Sequence, residues 1–281
     1  MIVAGITLFN PDMEILEKNI AAIVNQVDGL VCVDNGSKNL DEVQQKVLTK
    51  FPTVVLQKNF ENLGIATALN QMFLFAKSVN ADWVLTLDQD SICPDNIIEE
   101  FKKYLDIPDI GSLCPNIMDR NYESKDFVQV EEETTYVNGC ITSASLTPVK
   151  AWEAVGGFLE ELFIDFVDHD FCAKLVEQGY KILRVNKVVL NHEMGQGKTV
   201  SFFGNKITVL NHSVFRKYYM ARNWIYYMKA HKTVINIIKE RIKFVFFFVK
   251  TFLYEDNRFE KMKVMFRGVR DAKELCQKVM K

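Results

Sequence analysis

Trp83-Val84-Leu85-Thr86-Leu87-Asp88-Gln89-Asp90 is an apolar run that stops abruptly at two carboxylates. Trp83, Val84, Leu85 and Leu87 suit a buried strand. Asp88 and Asp90 then stand at i and i+2 where the strand gives way to a loop. Open α/β sheets bind ligands in the crevice at the carboxyl ends of their strands. Two hard oxygen ligands close together also suit a divalent cation shared with substrate phosphates. The stretch therefore points to a nucleotide-diphosphate site with a metal. Taken alone it reads as well as a solvated pair of loop acids, since Asp is common in loops.

Outward from this stretch, the first hundred residues alternate strand and helix patterns. Ile2–Leu8 reads as a strand, and a helix pattern runs from Met13 to about Gln26. Leu30–Val33 is a short strand that ends in the turn cluster Asp34-Asn35-Gly36-Ser37. Thr53–Leu56 is a third strand. Ile65, Ala66, Leu69, Met72, Phe73, Ala76 and Val79 recur at helical spacing, which predicts an amphipathic helix over residues 64–79. Alternating β and α implies a mostly parallel sheet covered by helices. The polar clusters at Asn10, Asp34 and Asp88 all follow strands, so they fall on one edge of that sheet.

The middle of the chain, residues 110–212, is less regular. Strands are expected at Ile110–Cys114, Phe127–Val130, Ile141–Leu146 and Tyr180–Val185, some of them mixed or antiparallel additions. Gly156-Gly157 marks a turn after a short helix, and a helix over Phe171–Gln178 stops at Gly179. Farther on, Val214, Tyr218, Ala221, Ile225 and Met228 form one helical stripe. Val234, Ile238, Ile242, Val245, Phe246, Val249 and Leu253 form another. The run Phe244–Val249 is too short to span a membrane and is flanked by Lys243 and Lys250. It suits a basic amphipathic helix in a membrane interface, or a helix packed on its own domain.

The net charge of −2 hides an asymmetry. Residues 1–212 carry 17 Lys and Arg against 30 Asp and Glu, a net −13; residues 213–281 carry 17 against 6, a net +11. A basic end of this kind meets an anionic surface, either membrane or nucleic acid. The 281 residues, 48% of them hydrophobic, suffice for one large domain with an appendage. Six scattered cysteines without a C-x-x-C pair argue against a zinc knuckle or a disulfide framework, and cytosolic thiols are the simplest reading. The N-terminus has no basic n-region and reads as a first strand rather than a signal peptide.

The ordered set of motifs resembles the inverting, metal-dependent glycosyltransferases of family 2, with the GT-A fold, over roughly residues 2–230. The pieces are Thr7-Leu8-Phe9-Asn10-Pro11, Val33-Asp34-Asn35-Gly36-Ser37, Asn62-Leu63-Gly64-Ile65-Ala66 with Asn70, and Leu87-Asp88-Gln89-Asp90. Gly156-Gly157-Phe158, Asp165-Phe166-Val167-Asp168-His169-Asp170-Phe171-Cys172, His192 and Tyr218-Tyr219-Met220-Ala221-Arg222-Asn223 follow. Asn-Pro after the first strand, Asp-Gln-Asp and the Phe163–Asp168 stretch look most like the bacterial rhamnosyltransferase branch. One departure is Val167, which stands where many members have Glu.

The resemblance implies a role for each piece. Thr7, Asn10, Pro11, Asp34, Asn35, Asn62, Gly64, Asn70, Asp88, Gln89 and Arg222 would bind the nucleotide sugar. Asp34 can accept the imide N–H of a uracil or thymine, although an Asp before Asn-Gly is also an ordinary turn former. Gly64, at a helix start, would let backbone N–H groups approach a ligand. Asp90, Asp88 and His192 would hold Mn²⁺ or Mg²⁺, which neutralises the departing nucleoside diphosphate. Arg222 would pair with the diphosphate, or simply lie on a helix surface. Asp168 aligns with the catalytic base, and Asp165, His169 and Asp170 would bind or orient the acceptor. Asp168 or Asp170 could equally cap a helix starting at Phe171.

The expected molecule is an α/β GT-A domain over residues 1–212 with a basic amphipathic helical extension over 213–281. It would move L-rhamnose from dTDP-rhamnose to a hydroxyl of a lipid-linked or polysaccharide acceptor, peripherally at the cytoplasmic face of a membrane. The alternative is the same reaction from a UDP-linked hexose, N-acetylhexosamine or galactofuranose. A nucleotidyltransferase would need a Gly-rich phosphate loop where Phe9-Asn10-Pro11-Asp12 stands. A nucleic-acid binder would leave the acidic clusters unexplained and lacks a basic, aromatic platform.

Overall fold

The structure, a computed structural model, describes residues 1–119, 132–192, 197–202 and 204–280. The alternation of the first hundred residues becomes β1 (Ile2–Leu8), α1 (Met13–Ile23), β2 (Gly29–Asn35), α2 (Leu40–Lys50), β3 (Val55–Asn59), α3 (Ile65–Ser78), β4 (Trp83–Asp88) and α4 (Ile97–Lys102). Then come β5 (Ile110–Asp119), β6 (Thr134–Val137), β7 (Ser145–Pro148), α5 (Val149–Ala154), a 3-10 turn at Glu160–Leu162, α6 (Val167–Glu177) and β8 (Lys181–His192). A hairpin of β9 (Lys198–Phe202) and β10 (Asn205–Val209) leads to α7 (Val214–Ala230), α8 (Ile237–Tyr254) and α9 (Arg258–Val279).

The main sheet has the order β3-β2-β1-β4-β7-β5-β8-β6. Strands β3, β2, β1 and β4 are parallel, and β5 runs parallel to β8. Strand β7 enters antiparallel between β4 and β5, and β6 closes the far edge antiparallel to β8. The strands are apolar on both faces because helices cover both. In β1, Ile2, Ala4, Ile6 and Leu8 join the core beneath α1 and α4, while Val3 joins the core beneath α3, α5 and α6.

Several elements differ from the sequence expectation. The third strand starts at Val55, and 141–144 form a turn, so that β7 begins at Ser145. The strand expected at Phe127–Val130 lies outside the described residues. The helix expected from Phe171 starts at Val167, so Asp168 and Asp170 sit inside its first turn and cap nothing; Phe166, in the left-handed region, holds the cap position.

The C-terminal helices pack back on the molecule. Tyr226 of α7 and Leu275 of α9 are buried in the same core as Phe73 and Trp152. Helices α7 and α9 cross closely at Gly268, where an added Cβ would stand 2.5 Å from the Tyr218 carbonyl oxygen. Three helices meet at a buried ionic knot: Lys217 Nζ donates to Thr251 Oγ1 (2.9 Å) and pairs with Glu255, and Lys261 Nζ reaches the other Glu255 oxygen (3.0 Å). Burial pulls the Lys217 ammonium down to about 8, against the opposing pull of Glu255. Among the described residues no helix is long and apolar enough to cross a membrane.

Candidate active site

The register of the parallel strands sets the site. Leu8 of β1 pairs with Asp34 of β2, and Thr7 of β1 pairs with Asp88 of β4. The two carboxylates therefore end strands that flank β1, roughly 10 Å apart at the usual strand spacing. That leaves room for a ribose between them.

Asp34 is fully buried. Its Oδ2 accepts the backbone N–H groups of Gly36 (3.1 Å) and Ser37 (3.0 Å), while Oδ1 is buried without a hydrogen-bond partner. A buried acceptor of this kind is costly unless a ligand completes it. Asn10, in the left-handed region, locks the neighbouring turn: its N–H donates to Ser37 Oγ, and its Oδ1 accepts from Lys38 N–H. Pro11 is buried beside it, and its carbonyl accepts from Asn39.

The end of β4 is held from two sides. Buried Asn19 of α1 donates to the Asp88 carbonyl (2.8 Å). Gln89 accepts from the Phe9 N–H (2.8 Å) and donates to the Phe9 carbonyl (3.3 Å). This turn leaves Asp88 half-buried and Asp90 exposed. His192 ends β8, and its side chain lies outside the described residues, as do residues 193–196 that follow it.

The segment between the 3-10 turn and α6 is strained. Phe163, Asp165 and Phe166 all have positive φ, of 66°, 64° and 66°. Non-glycine residues in such conformations cost about 1–3 kcal/mol each and persist only where their surroundings enforce them. Here α7 enforces them. The amide of Asn223, fully buried, faces the carbonyls of Leu162, Ile164 and Asp165, each at 2.9 Å. Arg222 donates to the carbonyls of Glu161 (2.6 Å) and Leu162 (3.1 Å). Arg216 grips Asp165 with two nitrogens. From the other side, Ile65 N–H donates to the Phe163 carbonyl at 2.7 Å.

This clamp delivers Asp168 to a cavity of about 570 Å³ whose walls also carry Asp88, Asp165, His169 and Arg216. Asp168 Oδ1 accepts the His169 backbone N–H (2.8 Å) and pairs with His169 Nδ1 (2.8 Å). Burial pushes the Asp168 carboxyl up, but the His169 hydrogen bonds and charge outweigh it and hold the group below the ordinary range. His169 responds in kind: burial lowers it, and the Asp168 carboxylate lifts it above its usual value. Asp165 ends above its ordinary value because burial exceeds the pull of Arg216. The cavity thus offers an ionised carboxylate beside an imidazole.

Six residues expected at the site are placed elsewhere. Gly64 does not open toward the cavity: a Cβ there would stand 2.7 Å from the Phe163 carbonyl oxygen, so the glycine is needed where α3 meets the strained turn. Asn35 and Asn62 bond to each other (3.1 Å) and to the backbone at 63–64, lacing that same junction. Asn70 is consumed by Trp152 Nε1, the Phe158 backbone and Glu160. Asp170 is fully buried and pairs with His231 (2.8 Å), Tyr226 (3.1 Å) and Lys174 (3.1 Å), so it faces the protein interior and not an acceptor. Arg222 stacks over Tyr219 and lines a separate crevice with Asp271 and Lys278.

Arg216 and Lys243 are the Lys and Arg side chains on the cavity wall, and the sequence did not single out Arg216. Its signal is only positional, six residues before Arg222 on the same helix. Trp224, Glu240 and Lys243 also line the cavity from α7 and α8.

Comparisons with known proteins agree with this fold. The chain matches the model of glycosyl transferase family 2 over residues 5–174. It is 27% identical over 280 residues to a protein described as dTDP-rhamnosyl transferase RfbF of Shigella flexneri, covering 93% of this chain and 92% of that one. Among solved structures it resembles the mannosyltransferase PcManGT of Pyrobaculum calidifontis, in complex with GDP-mannose and Mn²⁺, with a TM-score of 0.63 and 14% identity. That likeness covers 97% of this chain and 75% of the other. GalNAc-T7 with UDP, GalNAc and Mn²⁺ gives a TM-score of 0.59 and 12% identity over 87% of this chain and 53% of that one. The likenesses identify the fold as GT-A.

Proposed function

The chain belongs to glycosyl transferase family 2, and on that premise we propose that it is an inverting, divalent-metal-dependent enzyme that moves L-rhamnose from dTDP-rhamnose to an acceptor hydroxyl. The observation that carries this reading is one cavity with Asp88 and Asp168 on its walls, at the carboxyl end of parallel strands. The similarity to a dTDP-rhamnosyl transferase supports the donor. The unpartnered Oδ1 of Asp34 suits the imide N–H of a thymine.

The donor set at the end of β4 fits a hard cation. Among the described residues no group of three or more His, Cys, Asp and Glu side chains could hold an ion unaided. Asp88 and Asp90 would supply two oxygens, and diphosphate and water the rest, as is usual for such ions on phosphates. Bound there, the cation would neutralise the leaving diphosphate.

The remaining work falls to side chains. A sugar hydroxyl is a poor nucleophile at neutral pH. Asp168, ionised and fixed through one oxygen by His169, removes its proton as it attacks. Arg216 keeps Asp165 in place beside it. Attack from the face opposite the leaving group inverts the anomeric centre. The acceptor is a lipid-linked or polysaccharide glycan, brought to the enzyme at an anionic membrane surface by the basic helices.

A panel of nucleotide sugars with Mn²⁺ or Mg²⁺, scored by slow hydrolysis, tests the donor without knowledge of the acceptor. Fastest turnover of dTDP-rhamnose is expected. A preference for UDP-glucose, UDP-N-acetylglucosamine or UDP-galactofuranose would move the assignment to that sugar.

A further inference from the structure

The cavity has a second wall built by the C-terminal helices, beyond the residues that match the family model. Met220 and Trp224 come from α7, and Glu240 and Lys243 from α8; Phe166 completes it from the strained turn. The Phe166 ring lies 5.2 Å from both His169 and Trp224. Trp224 Nε1 donates to Glu240 Oε2 (3.0 Å), and Lys243 Nζ reaches Glu240 Oε1 (2.7 Å). Glu240 is thereby held from both sides, with its side chain 15% exposed.

We propose that Phe166, Trp224 and Glu240 form the acceptor-sugar subsite, a role that rests on the transfer reaction proposed above. A pyranose presents an apolar C–H face and a rim of hydroxyls. Aromatic rings suit the first, and a fixed carboxylate suits the second. A carboxylate offers about four acceptor positions. Trp224 and Lys243 occupy one on each oxygen, and the others remain for sugar hydroxyls. Asp168 lines the same cavity as this wall, so a ring seated on it offers a hydroxyl to the base. The acceptor class is therefore a pyranose glycan. The C-terminal helices are then part of the active site as well as an appendage to it.

The test is binding of a panel of octyl pyranosides (of rhamnose, glucose, galactose and N-acetylglucosamine) to the full chain, by saturation-transfer NMR with Mg²⁺, with and without dTDP. At least one glycoside should bind the wild type. Trp224→Ala and Glu240→Gln should each weaken it by about tenfold or more, the equivalent of ~1.4 kcal/mol. Both variants should keep wild-type dTDP affinity. Trp224→Phe should restore most of the glycoside binding. Because Trp224 also packs on Phe244 and Phe247, the shape-conserving Glu240→Gln decides if Trp224→Ala melts early. Undiminished glycoside affinity in Glu240→Gln, or binding of no glycoside by a wild type that binds dTDP, overturns the subsite. A chain that binds glycosides but no nucleotide would instead overturn the donor reading and leave the subsite standing.

Discussion

At the residue scale, the acids that end strands or begin α6 separate by environment. Asp34 is sealed with one oxygen unanswered, Asp90 is exposed, and Asp168 is ionised beside an imidazole. Asp168→Asn keeps the shape and removes the base. Transfer should fall by about 10²–10⁴-fold, the usual contribution of general-base catalysis, with dTDP affinity unchanged. A variant that keeps most of its rate would move the role to Asp165 or His169. Asp90→Ala should abolish the enhancement of nucleoside diphosphate affinity by Mn²⁺, read by calorimetry with and without the ion. Unchanged enhancement would remove Asp90 from the metal site. These acids were legible in the sequence because each follows an apolar strand or sits in a dense acidic run. Arg216 was not, because helical periodicity says which side is apolar and nothing about which distant turn a cation will reach. Asp170 misled for the complementary reason: spacing alone does not tell a wall residue from one turned inward to His231.

At the scale of elements, α7 is the clamp that lets the turn at 163–166 hold its strained backbone. Asn223→Ala would leave the carbonyls of Ile164 and Asp165 without this donor, while that of Leu162 keeps Arg222. A buried unsatisfied group costs about 1–3 kcal/mol, and each kcal/mol lowers Tm by roughly 2–4 °C at about this chain size. Transfer should fall further than dTDP binding, since Asp168 rides on the turn. Helices α6 and α7 are also tied by His231, which is buried with Asp170 against Nε2 and Glu177 against Nδ1. Both ring nitrogens must donate, so the ring is a cation. Burial lowers its pKa, but the two carboxylates outweigh that and raise it above 6.5. This stability is complete below pH 6.5 and is lost as pH rises through the higher folded value. Melting of the wild type should therefore drop with pH across that window, and His231→Gln should flatten the slope, leaving the part that belongs to His169 and, toward pH 8, the opposing part that belongs to Lys217. Parallel slopes in the two proteins would exclude the tie. The sequence showed β1, β4 and α3 nearly to the residue, since their apolar patterns are clean, but it set β3 two residues early and ended β5 and β8 five and seven residues short. It placed α6 four residues late because Asp165–Asp170 reads as loop, and it passed over α2 and α4, which are short or mostly polar.

For the whole molecule, the sequence placed the excess of positive charge on residues 213–281, and the structure adds where apolar surface goes with it. Ile238, Ile242 and Val245 of α8 are 68%, 65% and 62% exposed, and Val249 and Phe252 continue the same stripe. Phe259 and Phe266 of α9 are exposed as well. Lys239, Arg241, Lys263 and Arg267 are exposed on the same two helices. A second copy of so basic a surface would be repelled, whereas anionic lipid would be attracted at about 1 kcal/mol per Lys or Arg near the bilayer. Removal of α8 and α9 would be a poor test, because it strips Glu255 from buried Lys217 and Glu240 from Trp224. Ile242→Glu with Val245→Glu changes only exposed positions. The wild type should co-sediment with anionic liposomes at low salt, and less so at high salt, where the Debye length shortens. The double variant should remain in the supernatant even at low salt, with its dTDP affinity intact. A wild type that never sediments, or a variant that sediments as well as wild type, would show that the stripe on α8 does not meet lipid.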